Sequence, residues 1–192
     1  MTEIYLVRHA KPDHSWEEDE TRPLTEEGAT DAKLVADFFR EITVDGFVSS
    51  PYRRSIDTIR SSAEDKKMTI KTDRRLRERE KGPDGNTHEL FRKRWADFSF
   101  HEEGGESLEL VQKRNMEALH EILEEREGKS VVIGTHGTAM STILHHYDPT
   151  FSVQDFLSII DFMPYIVRLT FQGKTLTAKD ELLYVKKEYD GK

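Results

Sequence analysis

Ile4-Tyr5-Leu6-Val7-Arg8-His9-Ala10 is the stretch on which the fold turns. Its four leading apolar or aromatic residues read as a strand buried on both faces, and such strands belong to parallel sheets covered by helices. The run ends in a guanidinium and an imidazole at its carboxyl end, where open α/β sheets place their ligands. A second apolar run, Val131-Val132-Ile133, ends in Gly134-Thr135-His136-Gly137. Either histidine alone reads as a polar residue hydrogen-bonded at a strand edge. Two of them at two strand ends, each beside small residues, point to one pocket.

The chain has 192 residues, which suits one well-buried α/β domain spanning residues 1–192. A net charge of −8, with 35% hydrophobic and 34% charged residues, fits a globular protein and argues against non-specific nucleic-acid binding. Cysteine is absent, so disulfides, thiolate metal ligands and thiol nucleophiles are excluded. No apolar run approaches the ~20 residues of a membrane span, and the first residues do not resemble a secretory signal. The expectation is a cytoplasmic protein with no membrane or nucleic-acid partner.

Working outward from the first strand, Lys11 to Pro23 is polar and acidic between Pro12 and Pro23, and reads as a loop crossing the top of the site. Thr25 is placed to cap a helix whose Ala29, Ala32, Val35, Ala36 and Phe39 form an apolar stripe, with Glu26, Glu27, Asp31 and Asp37 solvated. Val44 to Ser49 is a second strand. Ser50-Pro51 signals a helix start, with Ile56, Ile59 and Ala63 buried and Arg53 and Arg54 in the first turn. Arginine there opposes the helix dipole and needs another reason. A surface pair with Asp57 supplies one for Arg53, and Arg54 is the candidate for the site.

Met68 to Thr72 is a third strand, followed by dense alternating charge from Asp73 to Gly82, most of it a solvated surface. Residues 83–105 read as a small insertion over the pocket, with a helical piece around 89–98. Trp95, Phe98, Phe100 and His101 either line a lid or form a satellite core beneath it. Ser107 caps a long helix to about Glu127, ended by Gly128. A helix over Thr138 to His146 opens behind the second histidine. Tyr165 to Phe171 and Thr175 to Val185 alternate about Gly173-Lys174 as a terminal hairpin.

A pocket holding Arg8, His9, Arg54 and His136 is suited to a phosphoryl group, because guanidinium forks match phosphate oxygens and imidazoles add hydrogen bonds. Two histidines with carboxylates suit zinc or iron as well. The neighbouring arginines oppose a divalent cation, and His145-His146, the one tandem pair, presents its rings in different directions along a helix. A metal-free phosphoryl transfer can pass through a phosphohistidine, and the departing alcohol then needs a proton. Glu78, between Leu76 and Gly82 at a strand-to-loop junction, is the candidate donor, kept partly protonated by burial.

Leu6-Val7-Arg8-His9-Ala10, Ser49-Ser50-Pro51-Tyr52-Arg53-Arg54-Ser55 with Thr58, Leu76-Arg77-Glu78 with Gly82, Gly105-Glu106-Ser107, and Gly134-Thr135-His136-Gly137 occur in that order. Together with Leu24-Thr25-Glu26-Glu27-Gly28, they resemble the phosphoglycerate mutase-like histidine phosphatase superfamily over nearly the whole chain. The resemblance implies a three-layer α/β/α sandwich with a small insertion over the active site, and His9 as the phosphorylated nucleophile. It implies that Arg8, Arg54 and His136 cradle the phosphoryl group, that Glu78 is proton donor and later base, and that no cofactor or metal is used. Gly137, beside His136, and Ser15, on the first loop, complete the candidate substrate-binding set.

The departures narrow the expectation. Ala10 stands where many members have Gly, and Pro12 and Ser15 stand where mutase-like members carry Ser and Asn. Asp31-Ala32 replaces a usual Gln-Ala. Glu78 separates the chain from compact members that act on phosphoproteins without that acid. The reading is a metal-independent phosphomonoesterase acting on a small phosphorylated metabolite. The alternatives are phosphoglycerate mutase-type transfer and a non-catalytic phospho-ligand binding domain.

Overall fold

The computed structural model describes residues 1–188. Its first strand, β1 (Thr2–Arg8), has no solvated face: Ile4, Tyr5, Leu6 and Val7 are each 2% exposed or less. Ile4 and Leu6 enter one apolar cluster, Tyr5 and Val7 the other, the two-residue alternation of a strand covered on both sides. Thr25 caps α1 (Glu26–Phe39), its hydroxyl accepting from Gly28 N. Gly28, not Ala29, opens the buried stripe. A β-carbon at 28 would meet Lys11 O at 2.3 Å, so loop and helix backbones touch there, while Ala29 faces solvent.

After β2 (Gly46–Ser49), α2 (Arg53–Asp65) begins beyond the expected Ser50-Pro51 start, with Tyr52 as N-cap and no side-chain cap. Ser50 is committed elsewhere: its hydroxyl accepts from Tyr52 N at 3.2 Å and lies 2.8 Å from His136 Nε2. Next come β3 (Ile70–Thr72) and a single 3-10 turn, Arg74–Leu76, in place of the expected strand-to-loop junction before Glu78. The insertion carries α3 (His88–Ala96). Ser107 caps α4 (Leu108–Glu125), and β4 (Ser130–Thr135) leads into α5 (Gly137–Tyr147). The sequence reading did not foresee α6 (Val153–Ile159), a seven-residue helix started by a Ser152–Asp155 capping box and burying only Phe156 and Ile159. β5 (Phe162–Gln172) and β6 (Thr175–Lys186) form the terminal hairpin.

The strands lie in the order β3-β2-β4-β1-β5-β6. The first four are parallel, and β5 and β6 are antiparallel to their neighbours. Val35 and Phe39 of α1 and Ile59 and Ala63 of α2 cover one face against Tyr5, Val7 and Val132. Leu119 and Ile122 of α4, Met140 and Ile143 of α5, and Phe156 of α6 cover the other against Ile4, Leu6 and Ile133. This is the expected three-layer α/β/α sandwich. From the insertion, Trp95 packs against Phe98 and, through Phe151 and Phe156, onto the main core, so it joins that core and forms no separate satellite cluster. Among the described residues, no helix is long and apolar enough to cross a membrane.

Candidate active site

The register of the parallel pair brings the two histidines together. Arg8 pairs with Thr135 across β1 and β4, so His9 and His136 leave adjacent strand ends at the same level, with ring centroids 5.3 Å apart. β2 contributes the third strand end, since Ser49 pairs with Gly134 and Ser50 N donates to Gly134 O. At Gly134 a β-carbon would meet Ser49 Oγ at 2.6 Å and Ser55 Oγ at 2.8 Å. The missing side chain lets the head of α2, and Arg54 with it, press against the sheet.

His9 is 6% exposed and held in one tautomer. Its Nδ1 lies 2.8 Å from Ala10 O, and a carbonyl only accepts, so the ring proton of the neutral imidazole sits on Nδ1. Nε2 therefore carries the lone pair, and Arg54 Nε donates toward it at 3.4 Å. Burial, then the charges of Arg54 and Arg8, hold the His9 pKa well below the ordinary histidine value. His136 has no exposed surface, and burial, Arg54 and His9 depress its pKa as well. Its Nδ1 has no hydrogen-bond partner among the described residues. Tyr52 stands edge-on to His136 at 5.2 Å and under the Arg54 guanidinium at 5.2 Å, bracing both.

Arg8 is anchored from behind by Nη1, which donates to the carbonyls of Ile159, Ile160 and Phe162 at 2.9, 2.8 and 3.1 Å. Arg54, 4% exposed, donates from Nη1 to Asp19 O at 2.6 Å and pairs with the Asp19 carboxylate at 3.1 Å. Arg53 points outward and pairs with Asp57, as expected. The loop is tied over α2 by Arg53 N donating to Glu20 O and by the Arg74–Glu20 ion pair.

Glu78 reaches the pocket, though not as a buried acid. It is half-buried, and its carboxylate spans the head of α5: Oε2 accepts from Thr138 N at 3.0 Å, and Oε1 from Ala139 N at 3.0 Å and Arg79 N at 2.9 Å. Unsatisfied amides at a helix start explain why the chain aims a carboxylate there. Arg114 of α4 fixes the segment from the other side, donating to the carbonyls of Arg75, Arg77 and Glu78 while paired with Glu106 at 2.7 Å.

Arg8, His9, Arg54, Glu78 and Gly137 line one pocket; His136, fully buried, does not line it but stands edge-on to His9 with ring centroids 5.3 Å apart. Ser15 does not join them. It sits on an exposed turn, where its backbone N–H and hydroxyl both donate to the Asp13 carboxylate. The loop contributes Pro12, His14, Asp19 and Arg22 to the pocket instead. Arg79, Lys81 and Asn86 also line it, and none of these residues carries a periodic or motif signal in the sequence. Among the described residues, no group of three or more His, Asp or Glu is placed to hold a metal ion.

The family model of the histidine phosphatase superfamily (branch 1) matches residues 4–179. The probable phosphoglycerate mutase GpmB of Yersinia pestis is 30% identical over an alignment of 163 positions that covers 75% of this chain and 74% of that one. The structure of YhfR from Bacillus stearothermophilus is similar with a TM-score of 0.76 at 25% identity, covering 92% of this chain and 95% of its own. Phosphoserine phosphatase from Entamoeba histolytica, solved with phosphoserine, has a TM-score of 0.75 at 18% identity over 96% of each chain, a likeness of fold alone.

Proposed function

The chain belongs to the histidine phosphatase superfamily, branch 1, and from the wiring of its pocket we propose that it is a metal-independent phosphomonoesterase that hydrolyses a small phosphorylated metabolite through phospho-His9. The observation that carries this reading is the His9 tautomer. Nδ1–H is spent on Ala10 O, which leaves the ring's lone pair on Nε2, where it accepts only one long contact, from Arg54 Nε at 3.4 Å. An imidazole held neutral by burial and two arginines is a nucleophile at ordinary pH.

In the first step Nε2 attacks phosphorus, the N–P bond forms, the P–O ester bond breaks, and the departing alkoxide takes a proton from Glu78. In the second, the Glu78 carboxylate removes a proton from water, whose oxygen attacks phosphorus while the N–P bond breaks, releasing inorganic phosphate. Arg8 and Arg54 balance the charge on the transferring group, and their anchored guanidiniums need little reorganisation to do so. Ser50 Oγ already accepts from Tyr52 N, so its own proton is available to His136 Nε2. That leaves His136 Nδ1–H as the donor to a phosphoryl oxygen.

Solved relatives of this fold include a phosphoserine phosphatase, in keeping with hydrolysis of a small phosphate ester. Similarity to a probable phosphoglycerate mutase favours a second reading, in which an alcohol oxygen rather than water receives the phosphoryl group. Both readings share the first step. The test is turnover of para-nitrophenyl phosphate in excess EDTA by wild type and His9→Ala, with labelled enzyme trapped and probed for acid lability. Chelator-resistant release with an acid-labile phosphoenzyme, both lost in His9→Ala, is expected. Residual turnover near wild type in the variant would remove His9 from its role. Isomerisation of 3-phosphoglycerate outrunning phosphate release would identify the mutase.

A further inference from the structure

Glu78 stands on a stretch of chain that no strand or helix supports. After the 3-10 turn Arg74–Leu76, residues 77–80 have no regular structure, so their backbone N–H and C=O groups join no ladder. Two residues take its place. Arg114 of α4 donates from Nη1 to Arg75 O at 2.7 Å and to Arg77 O at 2.6 Å, and from Nη2 to Glu78 O at 3.1 Å. Glu106, just before the N-cap of α4, accepts from Glu80 N on Oε1 at 3.2 Å and gives its own N–H to Glu80 O at 2.8 Å. The two are locked to each other. Arg114 Nε donates to Glu106 Oε2 at 2.8 Å and Nη2 to Oε1 at 2.7 Å, the bidentate fork of a guanidinium on a carboxylate.

Glu78 is thus held at both ends by different elements. Its carboxylate rests on the amides of α5, and its backbone on the Glu106–Arg114 fork of α4. The fork stays out of the pocket: neither residue lines it, and the two side chains are only 10% and 11% exposed. Burial works against the Glu106 charge, but the hydrogen bonds and charge of Arg114 outweigh it and hold the carboxyl below the ordinary glutamate pKa, so the fork is an ion pair at neutral pH.

We propose that the Glu106–Arg114 fork is a positioning device for the proton-transfer step: it sets the reach of the Glu78 carboxyl toward the ester oxygen and takes no part in holding the phosphoryl group. This rests on the phosphomonoesterase reading and adds to it two residues that act only through Glu78. An arginine is needed for a geometrical reason. Three carbonyls and a carboxylate converge on one planar group, and a lysine ammonium, with its donors on a single atom, cannot span them. Charge is a separate matter, because Arg114 also helps to depress the pKa of His136, behind burial, Arg54 and His9. Arg114→Lys keeps that charge and removes the span.

The experiment compares wild type, Arg114→Lys, Glu78→Gln and the double variant on two esters. One is para-nitrophenyl phosphate; the other is whichever of glycerol 3-phosphate, 3-phosphoglycerate and phosphoserine the wild type hydrolyses fastest. Arg114→Lys should lower kcat on the alkyl ester by roughly tenfold or more, the scale of a displaced catalytic group. KM, kcat on the aryl ester and calorimetric affinity for inorganic phosphate should stay close to wild type. On the Glu78→Gln background the same substitution should cost nothing further, since the group it positions no longer carries a proton. Loss of folded protein would lower both esters together, and a thermal melt of each variant reports it. Glu106→Gln, which keeps the shape of the fork and weakens its charge, should show the same ester pattern to a smaller extent, and it carries the test by the same criteria if Arg114→Lys does not fold. Equal losses on the two esters, weaker phosphate binding, or full additivity with Glu78→Gln overturns the inference and leaves the phosphatase reading standing. A wild type that hydrolyses the aryl ester alone does the same, since it has no proton-transfer step to position. A wild type that hydrolyses no ester and forms no phosphoenzyme overturns the reading, and the role of the fork with it.

Discussion

The two oxygens of Glu78 are not equivalent. Oε1 accepts from two backbone N–H groups and Oε2 from one, so Oε2 keeps the lone pair on which a proton can travel to a leaving oxygen. Glu78→Gln preserves the shape but puts an amide nitrogen where one oxygen accepts, and it has no proton to transfer. For alkyl phosphates kcat should fall by about 10²–10⁴-fold, the usual contribution of a positioned acid, whereas para-nitrophenyl phosphate, whose phenolate leaves without help, should lose much less. Steady-state rates on both esters decide it, and equal losses would take the acid role away from Glu78. At this scale the motif residues were legible because a strand end is a fixed address: Arg8, His9 and His136 follow apolar runs whose register the sheet imposes. Asp19, Arg22 and Lys81 were not legible, since a loop side chain's direction depends on tethers such as Asp13 N to Pro23 O that no local pattern encodes.

The head of α5 does two jobs with three consecutive residues. Gly137 gives Arg8 room, and the N–H groups of Thr138 and Ala139 hold Glu78. A β-carbon at 137 would lie 3.0 Å from Arg8 Cζ, and Arg8 cannot easily yield because three carbonyls anchor its Nη1. Gly137→Ala also gains some helix propensity, less than the ~1 kcal/mol of an interior position because 137 is the first residue of the helix. The substitution should therefore leave Tm within a few degrees of wild type while kcat/KM drops roughly tenfold or more through a displaced guanidinium. A thermal melt beside a kinetic run checks both halves, and wild-type kcat/KM would show that Arg8 tolerates the shift. Caps and periodicity made most elements readable: Thr25 and Ser107 start their helices where their hydroxyls say, and β1 and β4 read as buried runs. The exceptions have physical reasons. α6 is too short to show a period, the turn before Glu78 buries only Leu76, and Ser50 resembles an N-cap but is taken by His136.

Two buried imidazoles make the stability of the whole chain depend on pH in a definite direction. Unfolded, His9 and His136 titrate near pH 6.5; folded, burial and the neighbouring arginines push both pKa values well below that. Between those limits the unfolded chain binds more protons than the folded one, so stability is complete above pH 6.5 and is lost as pH falls toward the folded values. Each histidine contributes a slope of up to about 1.4 kcal/mol per pH unit in that window. Buried carboxylates act lower on the scale. Glu102, whose burial is outweighed by Arg79 and Arg94, is held at about 2 and gives up its contribution only as pH falls below the ordinary glutamate range. Urea midpoints at pH 7.5, 6.5 and 5.5 should therefore decline in the wild type, and decline less steeply in His9→Gln, which has nothing to titrate at that position. Saturating inorganic phosphate should flatten the wild-type decline, because a bound anion favours the charged imidazole and lifts the folded pKa toward the unfolded one. Parallel profiles for wild type and variant would mean that His9 takes up its proton without leaving the folded state, and the neutral nucleophile on which the mechanism depends would lose its physical basis.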